Sequence, residues 1–319
     1  MPDEVRVIGV DLGGTRMRAA VLDADCQIIK RVEEPTRAHE GPDVVIPRLL
    51  DLIASVMPGE SEVPVQAIGV SAPGPVEPQT GAIVAPPNLP GWVDVPLGRI
   101  IQERFHLPTW LGNDANVAAL AEVYRGAARG HKDAIYITIS TGIGGGIVLD
   151  GRLFEGSGGL AGEIGHMVLL ADGERVSSLE REAAGPALAR QAVARIQAGE
   201  SSIISDMVKG DLSTVTGKTV GEAAQAGDHL ALELVARSGR LVGYGIVSLM
   251  HVFNPSIFVV GGGVSTLGDL LFTPMREAVH QQALDPAYWE HTPIVPAALG
   301  DDVAIIGAAI LALRRMHIL

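Results

Sequence analysis

The chain has 319 residues, 47% of them hydrophobic, and a formal net charge of −13. That is enough chain for one large domain or two of ordinary size, and the acidity argues against a nucleic-acid surface, which needs clustered Lys and Arg. Cys26 is the only cysteine, so no intrachain disulfide and no cysteine-based metal site can form.

In chain order, Val5–Val10 is an apolar run that reads as a buried strand. The short acidic Met1–Glu4 before it has no signal-peptide character. No apolar stretch is long enough to span a bilayer, so a soluble cytoplasmic protein is expected. Arg18–Asp23 and Gln27–Glu33 continue a strand meander, and Asp43–Met57 has helical spacing. Val65–Ser71 reads as a strand leading into a Pro/Gly-rich loop that runs to Pro96. A helix near Leu97–Phe105 and a strand at Thr109–Leu111 precede a helix that carries Val117–Tyr124. The pattern then restarts: strand Ala134–Ser140, glycine loop Thr141–Gly146, strand Ile147–Leu149. Helices are expected at Leu179–Ala198, Val220–Ala226, His229–Phe253, Gly268–Leu284 and Val303–Arg315, with a strand at Ser256–Val260. Strand, glycine-rich turn and strand thus occur twice, which suggests two related α/β lobes.

Three glycine runs follow apolar strands: Asp11-Leu12-Gly13-Gly14-Thr15, Ser140-Thr141-Gly142-Ile143-Gly144-Gly145-Gly146, and Gly261-Gly262-Gly263. Glycine permits a tight turn and lets backbone N–H groups approach an anion, so such turns suit phosphates even on an acidic protein. The first run alone is equally a plain hairpin. The second lacks the Gly-Lys-Ser/Thr ending of a P-loop and the strand-to-helix setting of a dinucleotide-binding turn. Asp114, in Asn113-Asp114-Ala115-Asn116, reads locally as a helix N-cap; in a cleft it could orient a hydroxyl and accept its proton. Glu163, His166 and Glu180 are polar groups of the kind that binds sugar hydroxyls, with a structural histidine as the local alternative at His166, while Asn88 is equally a turn residue on local grounds.

The ordered set of these pieces resembles the ROK family of repressors, open reading frames and kinases. It comprises Asp11–Thr15, Ala72-Pro73-Gly74-Pro75-Val76, Pro87–Trp92, Asn113–Asn116, Thr141–Gly146, Leu160–Met167 and Val260–Ser265, and covers essentially the whole chain. The resemblance implies an α/β, actin/hexokinase-like (ribonuclease-H-like) fold whose two lobes close over ATP and a sugar. The N-terminal lobe would span 1–114 and regain a C-terminal helix at about 303–319, with 115–302 forming the second lobe. It implies Asp114 as catalytic base and Asn88, Asn113, Asp114, Glu163, His166 and Glu180 as sugar-binding residues. Gly13, Gly14, Thr15, Thr141, Gly142, Gly144, Gly261, Gly262 and Gly263 would hold the nucleotide, with Asp11 assisting Mg²⁺ through water. A homodimer and an ATP-dependent hexose kinase, glucose first, are further implications.

One stretch departs from the family. Relatives carry a zinc site built from the histidine of Gly-His and three cysteines, whereas His166 to Glu180 here contains no cysteine and has Ser178 in the last cysteine's place. No zinc is expected, and His166 must be oriented by other means. The remaining readings are a kinase for fructose, mannose or an N-acetylhexosamine, a polyphosphate-using glucokinase, and a non-catalytic sugar sensor. A sugar-responsive repressor is disfavoured by the net charge and by the first phosphate turn beginning at Asp11, which leaves no room before it for a helix-turn-helix.

Overall fold

The computed structural model describes residues 5–59, 62–77, 79–172 and 175–319; Met1–Glu4 and the Gly173-Glu174 part of the departing stretch lie outside them. The first half runs β1 (Arg6–Leu12), β2 (Arg16–Asp23), β3 (Ile28–Pro35), α1 (Pro42–Val56), β4 (Val65–Ala72), β5 (Val76–Glu77), β6 (Ala82–Ile83), α2 (Leu97–Phe105), β7 (Thr109–Asn113) and α3 (Asp114–Arg125). The second half opens with β8 (Ala134–Ile139), β9 (Ile143–Leu149), β10 (Arg152–Leu153), β11 (Val168–Asp172), β12 (Arg175–Ser178), α4 (Leu179–Ala183), α5 (Gly185–Gln197) and α6 (Ile204–Met207). It ends with α7 (Gly217–Gln225), α8 (His229–Phe253), β13 (Ile257–Gly261), α9 (Asp269–Gln282), β14 (Ile294–Pro296) and α10 (Val303–Arg315).

Two five-stranded sheets carry the same plan. Their orders are β3-β2-β1-β4-β7 and β10-β9-β8-β13-β14. In each, the first strand pairs antiparallel with the second of its meander and parallel with a later strand, β4 or β13. The repeated strand–turn–strand pattern in the sequence is therefore a repeated sheet, one per lobe.

The apolar runs are buried as their composition demands: Ile8, Val10, Ile68 and Val70 pack on the α1 side of the first sheet. Val7, Leu22 and Ala67 pack on the other side against Ile305, Ala309 and Leu313 of α10. The C-terminal helix thus returns to the first sheet. It sits so close that a side chain at Gly9 or Gly69 would overlap the carbonyls of Ile305 or Ala308. α3 packs between α10 and the second sheet, where Gly146 lies on the Ala115 carbonyl and an added Cβ would sit 2.5 Å from it.

Some expectations are corrected. Gly144, Gly145 and Gly146 are not loop; they belong to β9 and pair with Thr138, Ile137 and Tyr136. Their lack of a side chain serves the close approach of α3 and of the 162–164 segment, so only Ser140–Gly142 forms the turn. The single helix expected over 179–198 is two helices, because Ala184 is extended and Gly185-Pro186 restarts the chain. The Pro/Gly-rich loop holds the small β5–β6 hairpin, and β10, β11, β12 and β14 are short strands whose periodicity is too brief to read.

Candidate active site between the lobes

The site begins at the first glycine turn. Leu12 pairs with Met17, so Gly13-Gly14-Thr15 closes a tight β1–β2 hairpin. The Gly13 amide donates to the Arg16 carbonyl at 3.0 Å, which leaves Gly14 and Thr15 as the turn's free contributors to an anion. Gly14 lies against Asn88: a Cβ there would sit 2.9 Å from the Asn88 carbonyl oxygen. The 86–92 loop therefore borders the phosphate turn.

Asp11 is buried beneath this turn and pairs in register with Arg18 on one side and Ser71 on the other. Arg18 donates from Nε and Nη2 to the same oxygen, Asp11 Oδ2, at 2.9 and 2.6 Å, and from Nη1 to the Asp301 carbonyl. Burial raises the Asp11 pKa from its ordinary value, and the charge and hydrogen bonds of Arg18 oppose it.

Asn113 ends β7 and caps α3, its Oδ1 accepting from the Ala115 amide at 2.9 Å. Asp114 is the first residue of α3, and its Oδ1 accepts from the same amide at 2.7 Å. Part of its surface is exposed to solvent, while protein packs closely around the rest. This setting raises its pKa to about 6: desolvation is the largest cause, the Ala115 amide opposes it, and the negative charges of Asp11 and Glu163 add to it. The N-cap expected at Asp114 is instead Asn113, one residue earlier, because its side chain is the one that reaches the Ala115 amide from outside the helix.

Glu163 starts the 3₁₀ turn Ile164–His166, which packs on β9 through Gly165 against the Ile143 carbonyl. Glu163 and His166 are both exposed. The departing stretch is a β-hairpin. β11 follows the His166 turn and β12 leads into α4, with Val168 paired to Ser178 and the Leu179 amide donating to the Met167 carbonyl at 3.0 Å. Ser178 caps α4, accepting from the Arg181 amide at 3.4 Å. The strands β11 and β12 join the His166 turn to the Glu180 helix, and Met167 and Leu169 pack on the same core as Leu179. The sole cysteine, Cys26, is buried in the first lobe among Val7, Leu22 and Leu313.

Glu180 reaches the second glycine turn, where its Oε2 accepts from the Ile143 amide at 2.9 Å. Thr141 and Gly142 are the free part of that turn, since the Ser140 amide donates to the Gly142 carbonyl at 2.8 Å. Gly144 is in β9, facing Ala115 and Thr138. Gly261 ends β13; Gly262, at φ 86°, has no room for a Cβ against the Ile139 backbone, and Gly263 is open.

A cavity of about 840 Å³ opens beside these two turns. Ser140, Thr141 and Gly263 line it together with the N-terminal ends of α5 (Gly185, Pro186) and α7 (Gly217). Asp114, Glu163 and His166 are not in its lining, so it lies on the turns' side of the cleft. The sequence reading missed this wall. Its signals were the Gly185-Pro186 break and the Thr216–Thr219 capping box that starts α7.

Comparison with known proteins now decides the relationship. The sequence profile of the ROK family matches residues 7–315. The chain belongs to the ROK family. It is 33% identical over 318 residues to a glucokinase of Thermotoga maritima, covering 98% of this chain and 99% of that one. It is 35% identical over 309 residues to a glucokinase of Halalkalibacterium halodurans, covering 94% of this chain and 92% of that one. The crystal structure of a ROK family glucokinase from Streptomyces griseus, in complex with glucose and AMPPNP, superposes with a TM-score of 0.82 at 32% identity, covering 97% and 99% of the two chains. The two-lobed α/β fold of this chain is the actin/hexokinase-like fold, and it lacks the cysteines that bind zinc in family members.

Proposed function

We infer that this ROK-family sugar kinase transfers the γ-phosphoryl group of ATP to a hydroxyl of a hexose, glucose first, with Asp114 as base. The observation that supports the reading is a carboxylate, Asp114, near the charges of Asp11 and Glu163, together with a cavity of about 840 Å³ lined by Ser140, Thr141 and Gly263 of the second and third glycine turns. A cavity walled by helix ends and apolar side chains suits a base and ribose, which favours ATP over a bare polyphosphate chain as donor.

In this reading Gly14, Thr15, Thr141 and Gly142 offer amides or hydroxyls to the phosphates, with Gly13, Gly144 and Gly261–Gly263 supplying close approach. Asn88, Asn113, Glu163, His166 and Glu180 hold the sugar, and Asp114 orients the attacking hydroxyl and takes its proton. As the hydroxyl oxygen bonds to the γ-phosphorus, the bond to the β-bridging oxygen breaks and ADP leaves. A carboxyl raised to about 6 is still ionised at neutral pH and is a better proton acceptor than an ordinary carboxylate.

Asp11 fits a magnesium role, because a carboxylate oxygen is a hard ligand of the kind Mg²⁺ takes, through water. Among the described residues no group of three or more His, Cys, Asp or Glu could hold a metal, so Mg²⁺ would arrive on the nucleotide phosphates. Bound there it would neutralise charge on those phosphates. We place the lobe boundary at 114/115, with 303–319 returning to the first lobe, and expect a homodimer in the cytoplasm. Among the described residues no helix is long and apolar enough to cross a membrane.

The test is ADP release from ATP and Mg²⁺ across glucose, fructose, mannose and N-acetylhexosamines, with a no-sugar control and a polyphosphate arm. Strong release with glucose supports the reading. Release with another sugar changes the substrate only, turnover with polyphosphate alone changes the donor, and sugar binding without turnover supports a sensor.

A further inference from the structure

Glu180 has more to do in this fold than meet a sugar. It is the second residue of α4, a helix whose start is fixed by the Ser178 cap and by the hairpin bond from the Leu179 amide to the Met167 carbonyl. From there its Oε2 takes the Ile143 amide at 2.9 Å. Gly142 leaves the space for it: a Cβ at that position would lie 2.5 Å from Oε2. Just past the other end of α4, the Gly185 amide donates to the Ser140 carbonyl at 2.9 Å. The turn Ser140–Ile143 is thus gripped at both of its ends by the segment that begins at Ser178, and the Ile143 carbonyl rests on Gly165, next to His166.

We propose that Glu180 is a positioning residue for the donor turn: through Oε2 it holds Ser140–Ile143 in the shape that receives phosphate, so sugar and nucleotide binding are coupled through one carboxylate. The proposal rests on the kinase reading above, in which the same side chain meets the sugar. A sugar hydroxyl bound to this carboxylate would restrict its rotation, and a restricted carboxylate orders the Ile143 amide and the turn. A nucleotide that has ordered the turn returns the favour, because coupling between two sites is reciprocal.

The experiment is calorimetric titration of the full chain with the magnesium complex of a non-hydrolysable ATP analogue, with and without glucose. In the wild type, glucose should tighten the analogue. Glu180→Ala removes a charged hydrogen bond to the turn, and binding of the analogue without sugar should weaken about tenfold, with the effect of glucose abolished. Glu180→Gln keeps a carbonyl oxygen for the Ile143 amide, so analogue binding without sugar should stay within about threefold of wild type while sugar affinity falls. Gly142→Ala reaches the same bond from the other side. Its new Cβ displaces only the tip of a flexible side chain, and in combination with Glu180→Ala it should add less than its own single effect.

A residue that only bound sugar would leave analogue binding without sugar untouched. If folded Glu180→Ala binds the analogue alone as tightly as wild type, or if the two substitutions are fully additive, the proposal is overturned. Should Glu180→Ala fail to fold, Glu180→Gln and Gly142→Ala decide between them: equal loss in both overturns it. A wild type that binds the analogue but phosphorylates no hexose removes the kinase reading instead, which separates the two failures.

Discussion

Glu122 tests how the end of α3 is held to the segment that follows β14. Its carboxylate is 1% exposed, and its hydrogen bonds run to backbone amides. Oε2 accepts from Ala127 at 2.7 Å, just past the end of α3. Oε1 accepts from Ala298 at 3.0 Å and Leu299 at 3.1 Å, in the segment that brings the chain back from β14 to α10. One side chain therefore ties the end of α3 to the returning segment where the two cross. Glutamine has one acceptor oxygen, so Glu122→Gln must abandon at least one of these sites, and its NH₂ would face a donor. A hydrogen bond to a charged group is worth roughly 1.5–3 kcal/mol, which puts Glu122→Gln at a loss of about 2 kcal/mol. Glu122→Ala orphans all three amides and should cost about 5 kcal/mol. Urea unfolding followed by circular dichroism reads both, with the slope held constant so that a midpoint shift reports stability. If Glu122→Ala unfolds within roughly 1 kcal/mol of wild type, buried amides at these crossings are satisfied some other way and the reasoning fails.

Asp114→Asn keeps the α3 start but removes the proposed base; turnover should fall by about 10²–10⁴-fold with sugar affinity largely retained, and steady-state kinetics beside sugar titration will show whether rate and binding separate. The acid limb of kcat/KM for sugar should lie near the raised Asp114 value of about 6, activity falling as pH drops through it because the protonated form cannot accept a proton. Glu163→Gln removes a neighbouring negative charge that raises Asp114, so that limb should move to lower pH; an unmoved or raised limb would contradict the electrostatics. Activity should survive a zinc chelator that spares magnesium, since a backbone hairpin joins the His166 turn to α4; inactivation restored by added zinc would refute this.

Much of the fold was readable because long apolar runs report their own burial: β1, β4 and β8 announce themselves, as does α8, whose bounds the periodicity places at His229–Phe253. What failed to read is tertiary in origin. Nothing in Gly144-Gly145-Gly146 distinguishes a loop from a strand pressed against α3; the decision lies in Ala115 and Ala119, some thirty residues earlier in the chain. The break after Ala183 was visible as Gly-Pro, but helical spacing on both sides outweighed it. At the proposed site, Asp114 and the glycine turns were legible as an ordered motif set. The bond from Glu180 to Ile143 was not, because it joins residues 37 apart whose pairing depends on the hairpin between them.

Because α10 covers one face of the first sheet, that sheet and its covering layer come from segments about two hundred residues apart. During synthesis the face of Val7, Leu22 and Ala67 waits uncovered until Ile305, Ala309 and Leu313 have been made. The lobe that begins first finishes last, whereas the second sheet, whose strands all lie within 134–296, can complete itself earlier. Removing α10 would therefore damage a sheet formed from residues 6–113, and a nascent chain stalled before α10 exposes the sheet surface on which chaperones act.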